Sequence, residues 1–136
     1  MMPGVKLSPL KLIPGDAGAV LHGLKKSWDG FEGFGEAYFS EIHEGAIKSW
    51  RRHMRATLNL VVPVGAVRFV LHDGAGFDAH TIGRAAEYAR LTIPPGLWFA
   101  LQGIGPGTSL TLSLSSLEHD PSEAETRALD GIAYSW

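Results

Sequence analysis

The stretch from Gly45 to Gly65, GAIKSWRRHMRATLNLVVPVG, decides the fold of this chain. Two glycines frame two apolar runs, AIKSWRRHM and TLNLVVPV, which we interpret as consecutive strands. Residues two apart on a strand project to the same side. Arg51 and His53 therefore share one face, and the stretch is predicted to place a guanidinium beside an imidazole.

The spacing of this stretch resembles the first motif of the cupin barrels, G-x5-HxH-x4-E-x6-G. Its three ligand positions fall on Arg51, His53 and Leu58, and a second motif in PPGLW places its His position on Phe99. A transition metal needs three or four N, O or S donors that converge on it. One imidazole does not supply them, so we expect a cupin-like barrel that uses no metal and no other cofactor.

Short apolar runs separated by turn signals continue on both sides of this stretch. The 136 residues include 17 glycines and 8 prolines, and about nine strand-length runs alternate with turns such as PGDAG, DGAGFD and GIGPG. Many short strands at this spacing are typical of a barrel or jelly roll. The sequence therefore predicts an all-β fold, a cupin-type jelly-roll β-barrel formed by residues 1–136 as a single domain.

Two runs near the C-terminus carry more specific expectations. In SLTLSLSSL, one face is formed by Leu110, Leu112 and Leu114, and the other by Thr111, Ser113 and Ser115, a pattern typical of a half-buried strand. The one helix candidate is Pro121–Ala128, where Asp120 is a suitable N-cap and Glu123 stands three positions later. An irregular tail is the alternative for this segment, so we expect at most one short helix.

Composition excludes several classes of function. The formal net charge of −2 gives no excess of Lys and Arg for nucleic-acid binding. There is no cysteine, which excludes disulfide and thiol chemistry and suits the cytoplasm. No apolar run approaches the roughly 20 residues of a membrane-spanning helix. We therefore expect a cytoplasmic protein whose partner is a small molecule, with no nucleic-acid or membrane partner.

The face shared by Arg51 and His53 is expected to point into the mouth of the barrel, the usual ligand cavity of this architecture. Arginine supplies a fixed fork of donors to anions and carbonyls, and neutral histidine moves protons. We therefore predict His53 as the catalytic residue and Arg51 as a substrate-binding residue. The alternative is that SWRRHMR is a solvated strand end whose basic side chains have no ligand.

Three further residues are predicted to bind substrate. Phe99 closes the fourth ligand position with an apolar wall, and Trp98 beside it could stack a base or a sugar, although aromatics in a small barrel are more often core. Asn59 lies between apolar neighbours and needs hydrogen-bond partners if it is buried. It is therefore either a substrate contact or a structural amide.

Longer stretches carry a second resemblance. The runs GEAYFSEIHEGAIKSWRRHMRATLNLVVPVGAVRFVLHD, ARLTIPPGLWFALQG and SLEHDPSEAETRALDGIAYSW occur in the order seen in the dTDP-4-dehydrorhamnose 3,5-epimerases and their sugar-nucleotide ketoisomerase relatives. This resemblance implies a metal-free dimeric barrel that binds a dTDP-4-keto-6-deoxy sugar. It also implies removal of a proton beside the keto group in deoxysugar or polysaccharide biosynthesis.

Position by position, the resemblance is incomplete at the catalytic residues. The family's catalytic His falls on Arg51, with His53 the nearest imidazole; its Tyr falls near Leu112 and its Lys near Leu58. The Asp that orients the family's His belongs to a C-terminal extension beyond Trp136. Two hypotheses follow: a sugar-nucleotide isomerase or epimerase, or a catalytically silent cupin that binds a small anionic or sugar ligand.

A homodimer is also predicted. The run VKLSPLKLI could add a strand to the sheet of a second copy, because small barrels leave sheet edges that need covering.

Overall fold

Two five-stranded antiparallel sheets face each other in the computed structural model, which describes residues 1–136. The strands are β1 (Lys6–Pro9), β2 (Leu12–Ile13), β3 (Val20–Leu21), β4 (Glu36–Ile42), β5 (Ile47–His53), β6 (Leu58–Val64), β7 (Val67–His72), β8 (Phe77–Ile82), β9 (Ala89–Ile93), β10 (Trp98–Gly103), β11 (Ser109–Ser115) and β12 (Ala124–Thr126). The first sheet has the order β1-β9-β6-β11-β4, the second has the order β12-β5-β10-β7-β8, and β2 pairs with β3 in a separate hairpin. The predicted cupin-type jelly roll is confirmed.

The main core lies between the two sheets. Because side chains alternate along a strand, every second residue of the central strands points inward. The inward residues include Leu58, Leu60 and Val62 of β6 and Val67, Phe69 and Leu71 of β7. The apolar runs on both sides of Gly65 therefore supply six of the fourteen residues of the main core.

The ends of the chain cover part of the outer face of each sheet. On the first sheet, the N-terminal segment reaches Asn59, whose Nδ2 donates a hydrogen bond to the carbonyl oxygen of Gly30. On the second sheet, Trp50 forms a buried cluster with Val70, Trp98, Ala100 and Ile132, against which Tyr134 and Trp136 pack. Outward-facing residues such as Asn59 and Trp98 are thus also shielded from water.

The polar face of β11 turns inward. Ser109, Thr111, Ser113 and Ser115 are buried, while the leucines between them are half-buried on the outside. Ser113 lies opposite the core residue Leu60 on β6, which fixes this orientation. One wall of the barrel interior is therefore lined with hydroxyl groups rather than with leucine side chains.

The predicted C-terminal helix is reduced to a single 3-10 turn, Pro121–Glu123. The Asp120 side chain caps it, accepting a hydrogen bond from the N–H of Ser122 at 2.9 Å. The chain then extends into β12, which pairs with β5, so pairing with the sheet overrides the helical propensity of this segment. A second 3-10 turn covers Leu129–Gly131, and neither turn has the length and hydropathy of a membrane-spanning helix.

Strand β8 was not expected, because DGAGFD was interpreted as a turn and the residues that follow include polar side chains. It begins at Phe77 and pairs along its whole length with β7. Hydrogen bonding to a neighbouring strand outweighs its weak intrinsic preference. The VKLSPLKLI run is also divided: β1 pairs with β9 of the same chain.

Candidate active site

A cavity of about 180 Å³ lies between the sheets beside β4 and β5, and we call it the inner cavity. Its apolar floor is formed by Leu58, Leu60, Phe69, Phe99 and Leu101. Its polar lining comes from Tyr38, Ser40, Lys48, Ser49, Arg51, Thr111 and Ser113. The inward Ser and Thr residues of β11 therefore form part of a ligand-sized space.

A second space of about 310 Å³ adjoins the inner cavity, and we call it the mouth. Tyr38 and Arg51 line both spaces. The remaining lining of the mouth is Glu36, His53, Ser115, Leu117, Glu118, His119 and Glu123. A ligand that extends through both spaces would thus pass between the phenol and the guanidinium.

His53 and Glu123 form a hydrogen-bonded pair at the mouth, where Nδ1 of the imidazole contacts Oε1 of the carboxylate. The second oxygen of Glu123 accepts hydrogen bonds from the backbone N–H groups of Arg55 and Ala56, both at 3.1 Å. Both side chains are shielded, with 13% of His53 and 4% of Glu123 exposed. These contacts fix the carboxylate and, through it, one edge of the imidazole ring.

The ionisation of Glu123 follows from these contacts. Burial by itself raises the pKa of the Glu123 carboxyl, but the hydrogen bonds from His53, Arg55 and Ala56 lower that pKa below its ordinary value. An ionised carboxylate only accepts hydrogen bonds, so Nδ1 of His53 carries the proton of the neutral ring. The other ring nitrogen, Nε2, is then the basic atom, and it is buried without a hydrogen-bond partner.

Phe99 packs against the face of the His53 imidazole ring. The rings of His53 and Phe99 are stacked, with centroids 6.2 Å apart and an interplanar angle of 14°. Phe99 also belongs to the main core, so its position is determined by packing. The structure thus places Phe99 where an apolar wall was expected.

Arg51 and Lys48 both face the inner cavity, although they are three residues apart. Phe99 lies opposite Arg51 on β10, whereas Leu101 lies opposite Lys48, so one extra residue of β5 is accommodated by a bulge. A bulge re-aims the side chains that follow it. Neither cation forms a salt bridge. Both charges therefore remain available to a ligand.

Two residues that were predicted to bind substrate lie outside the cavity. Trp98 points to the outer face of the second sheet, where its ring centroid is 4.7 Å from the guanidinium of Arg52 and 4.5 Å from that of Arg127. Asn59 points to the outer face of the first sheet and is 3% exposed. Its Oδ1 accepts hydrogen bonds from Arg90 and Thr92 at 3.0 and 2.6 Å. Both residues hold covering segments in place instead of lining the cavity.

Several residues that line the site were not recognised from the sequence, among them Glu123, Lys48 and Tyr38. Glu123 was assigned to a helix N-terminus, and Lys48 falls on the wrong face if strict alternation is assumed. Tyr38 was not predicted as a site residue, since the resemblance places the family Tyr near Leu112, which points outward. The alternation of β4, which puts the Tyr38 phenol on the inward face, was the feature of the sequence that could have identified this residue.

The predicted ligand positions of a metal cupin hold Arg51, His53, Leu58 and Phe99. No group of three or more His, Asp or Glu side chains is arranged to hold a metal ion. A metal-free protein stays a prediction, which elemental analysis of the purified chain checks.

Fold and site together define a cupin-type barrel with a hydrogen-bonded His–Glu pair at its mouth. No protein-family model matches the chain, and no curated protein does. Among solved structures, a dTDP sugar isomerase from Desulfovibrio desulfuricans is 35% identical, with a TM-score of 0.93 over 98% of this chain and 91% of its own. The chain therefore belongs to the dTDP-sugar isomerase family.

More distant structures share the fold. The sugar 3,4-ketoisomerase QdtA from Thermoanaerobacterium thermosaccharolyticum, solved with TDP, has a TM-score of 0.78 at 18% identity and covers 92% of this chain and 89% of its own. The 3,5-epimerase RmlC from Legionella pneumophila, solved with dTDP-4-keto-L-rhamnose, has a TM-score of 0.79 at 13% identity, with coverages of 93% and 73%. Ketoisomerases and epimerases thus both use this barrel.

Proposed function

We propose that the protein is an isomerase or epimerase of a dTDP-linked 4-keto-6-deoxy sugar. The observation that carries this proposal is the buried Nε2 of His53, which has no partner in the protein while Nδ1 is held by Glu123. A His that lines a cavity, with one nitrogen oriented by a carboxylate and the other without a partner in the protein, is arranged as a general base. Membership of the dTDP-sugar isomerase family supports the substrate class.

In the proposed reaction, Nε2 of His53 removes the proton from the carbon beside the keto group. The electrons of the broken C–H bond move to the carbonyl oxygen and form an enolate, whose negative charge is stabilised by the cation of Arg51. A ketoisomer forms when the former carbonyl carbon takes up the proton and the hydroxyl group of the deprotonated carbon gives its own proton to the enolate oxygen, so that this hydroxyl becomes the new keto group. Return of a proton to the opposite face of the deprotonated carbon gives an epimer. His53 alone serves the first outcome, whereas the second needs an acid across the ring, for which the Tyr38 phenol is available.

Proton exchange tests this function directly. The protein is incubated with dTDP-4-keto-6-deoxyglucose in D2O, and incorporation of deuterium beside the keto group is followed by NMR. We expect exchange with the parent protein and none with His53→Asn, whereas His43→Asn, which changes a histidine bound to Thr108 outside the site, exchanges normally. Tight binding without exchange by the parent protein would favour the alternative, a catalytically silent cupin that binds a small anionic or sugar ligand.

We also propose a homodimer built on the outer face of the first sheet. Phe39 on β4 is 66% exposed and lies directly opposite Leu112 on β11. Val64, opposite Leu110, extends the apolar strip, and Ile13 of the β2–β3 hairpin is also exposed. Contiguous exposed apolar residues of this kind are typical of protein interfaces. The cytoplasmic location stays a prediction.

A further inference from the structure

Three polar side chains meet in the inner cavity, while His53 lines the mouth. Lys48 Nζ donates a hydrogen bond to Ser40 Oγ at 2.7 Å. Ser40 on β4 lies directly opposite Thr111 on β11, so their side chains are neighbours on the inward face. All three residues line the inner cavity. An ammonium group and two hydroxyl groups therefore converge on one part of its wall.

This cluster has unused hydrogen-bonding capacity. Thr111 is 3% exposed, and its Oγ1 has no hydrogen-bond partner. Lys48 uses one of its three ammonium hydrogens on Ser40 and forms no salt bridge. A buried hydroxyl without a partner is unfavourable unless something else fills the space. The cluster is thus arranged to receive an oxygen atom from a ligand.

The size of the inner cavity limits what that ligand can be. Its volume of about 180 Å³ is below the roughly 300 to 1,000 Å³ of pockets that enclose a drug-sized ligand. Only part of a nucleotide sugar fits, and the apolar floor beneath the polar wall suits one face of a sugar ring better than a diphosphate. The nucleotide then occupies the mouth and the space beyond it.

We propose that Lys48, Ser40 and Thr111 form an oxygen-binding subsite for the sugar ring, which rests on the function proposed above. The subsite receives one sugar oxygen, either the keto oxygen or a ring hydroxyl. A keto oxygen accepts hydrogen bonds from the Lys48 ammonium and the Thr111 hydroxyl. A ring hydroxyl accepts from Lys48 and donates to Thr111 Oγ1. In both cases the Thr111 hydroxyl, which has no hydrogen-bond partner in the protein, gains one from the ligand.

Binding measurements with two ligands test the subsite. The affinities of dTDP and of dTDP-glucose are measured by calorimetry for the parent protein, Lys48→Met and Thr111→Val. Methionine keeps most of the aliphatic stem of Lys48, and valine keeps the shape of Thr111. We expect dTDP to bind equally to all three, and dTDP-glucose to bind each variant about tenfold more weakly, the scale of one lost hydrogen bond. Lys11→Met, outside the cavity, serves as the matched control.

Kinetics with dTDP-4-keto-6-deoxyglucose distinguish the two oxygens. A fall in kcat at unchanged KM assigns the subsite to the keto oxygen, because its charge develops in the transition state. A rise in KM at unchanged kcat assigns it to a hydroxyl. Melting curves of all variants verify that the barrel remains folded, and Thr111→Val carries the test alone if Lys48→Met does not fold.

Three results would overturn the subsite. If folded Lys48→Met and Thr111→Val bind dTDP-glucose with the parental affinity, the subsite is refuted and the proposed function is unaffected. An equal loss of dTDP affinity assigns Lys48 to the diphosphate instead. A parent protein that binds neither ligand removes the proposed function, and the subsite with it.

Discussion

His53 on β5 and Glu123 in the turn before β12 share a hydrogen bond across 70 positions of sequence. The contact exists because β12 pairs with β5, with Ala124 directly opposite His53. The C-terminal segment therefore completes the site that the central stretch of the chain begins. Its backbone is anchored at Met54, whose N–H donates to the carbonyl oxygen of Glu123 at 2.7 Å.

Glu123→Gln is expected to lower kcat on a dTDP-4-keto sugar by on the order of 100-fold, the usual contribution of a general base. The amide carries no charge to hold the proton on Nδ1, so Nε2 loses its defined role. KM should change little, because Glu123 is not proposed to contact the substrate. Asp120→Asn, which neutralises an exposed carboxylate in the same turn, is the control, and a parental kcat for Glu123→Gln would contradict the assignment.

Stability should depend on pH through Glu123. Its pKa is below the ordinary value of 4.5 in the folded protein, so the unfolded chain binds a proton first as pH falls. The stabilisation is complete above pH 4.5 and is lost as pH falls through the folded-state pKa. Melting temperatures of the parent and Glu123→Gln should differ most near neutral pH and converge in acid. A constant difference across this range would refute the linkage.

Trp98→Ala is expected to reduce the free energy of unfolding by about 3 to 5 kcal/mol, the cost of truncating a large core aromatic. Trp98 packs with Trp50 and Ile132 on the outer face of the second sheet, away from the inner cavity. Chemical denaturation measures the loss, and calorimetry at a temperature where the variant is folded should give parental dTDP affinity. Weaker nucleotide binding by the folded variant would restore the stacking role predicted from the sequence.

Asn59→Leu is expected to destabilise the protein by roughly 1 to 3 kcal/mol for each buried group left unpaired. The change removes the acceptor of the Arg90 and Thr92 side chains and the donor to Gly30. Urea denaturation measures this effect. Asn59→Asp keeps the acceptor and should be less damaging, so equal losses in both variants would argue against the hydrogen-bond network as the cause.

Phe39→Glu should convert the proposed homodimer into a monomer, because a buried, unpaired carboxylate opposes association. Light scattering coupled to gel filtration gives the mass of each protein at micromolar concentration. Ile104→Glu, which also changes an exposed apolar residue but lies in the loop after β10, should remain dimeric. A monomeric parent protein would exclude the dimer.

The sequence alone determined the succession of short strands and turns, and which neighbouring residues share a face of a strand. Glycine- and proline-containing turns and period-two alternation predicted the barrel, and the two-residue spacing of Arg51 and His53 placed them on one face. The same alternation requires that Trp98 and Phe99 face opposite ways, yet it does not say which of them faces inward. That choice depends on the opposite sheet, because only one side of β10 has a partner layer that completes the core.

Tertiary structure decided the rest of the site. The polar face of β11 lines the cavity because the leucines between its Ser and Thr residues face outward, and Lys48 faces inward because a bulge interrupts the alternation of β5. Glu123 reaches His53 only because strand pairing brings the C-terminal segment to the mouth. Alternation is a local property of a strand, and the sequence therefore encodes it within a few residues. Bulges and contacts between distant segments depend on how complete sheets fit together, which no short stretch of the chain specifies.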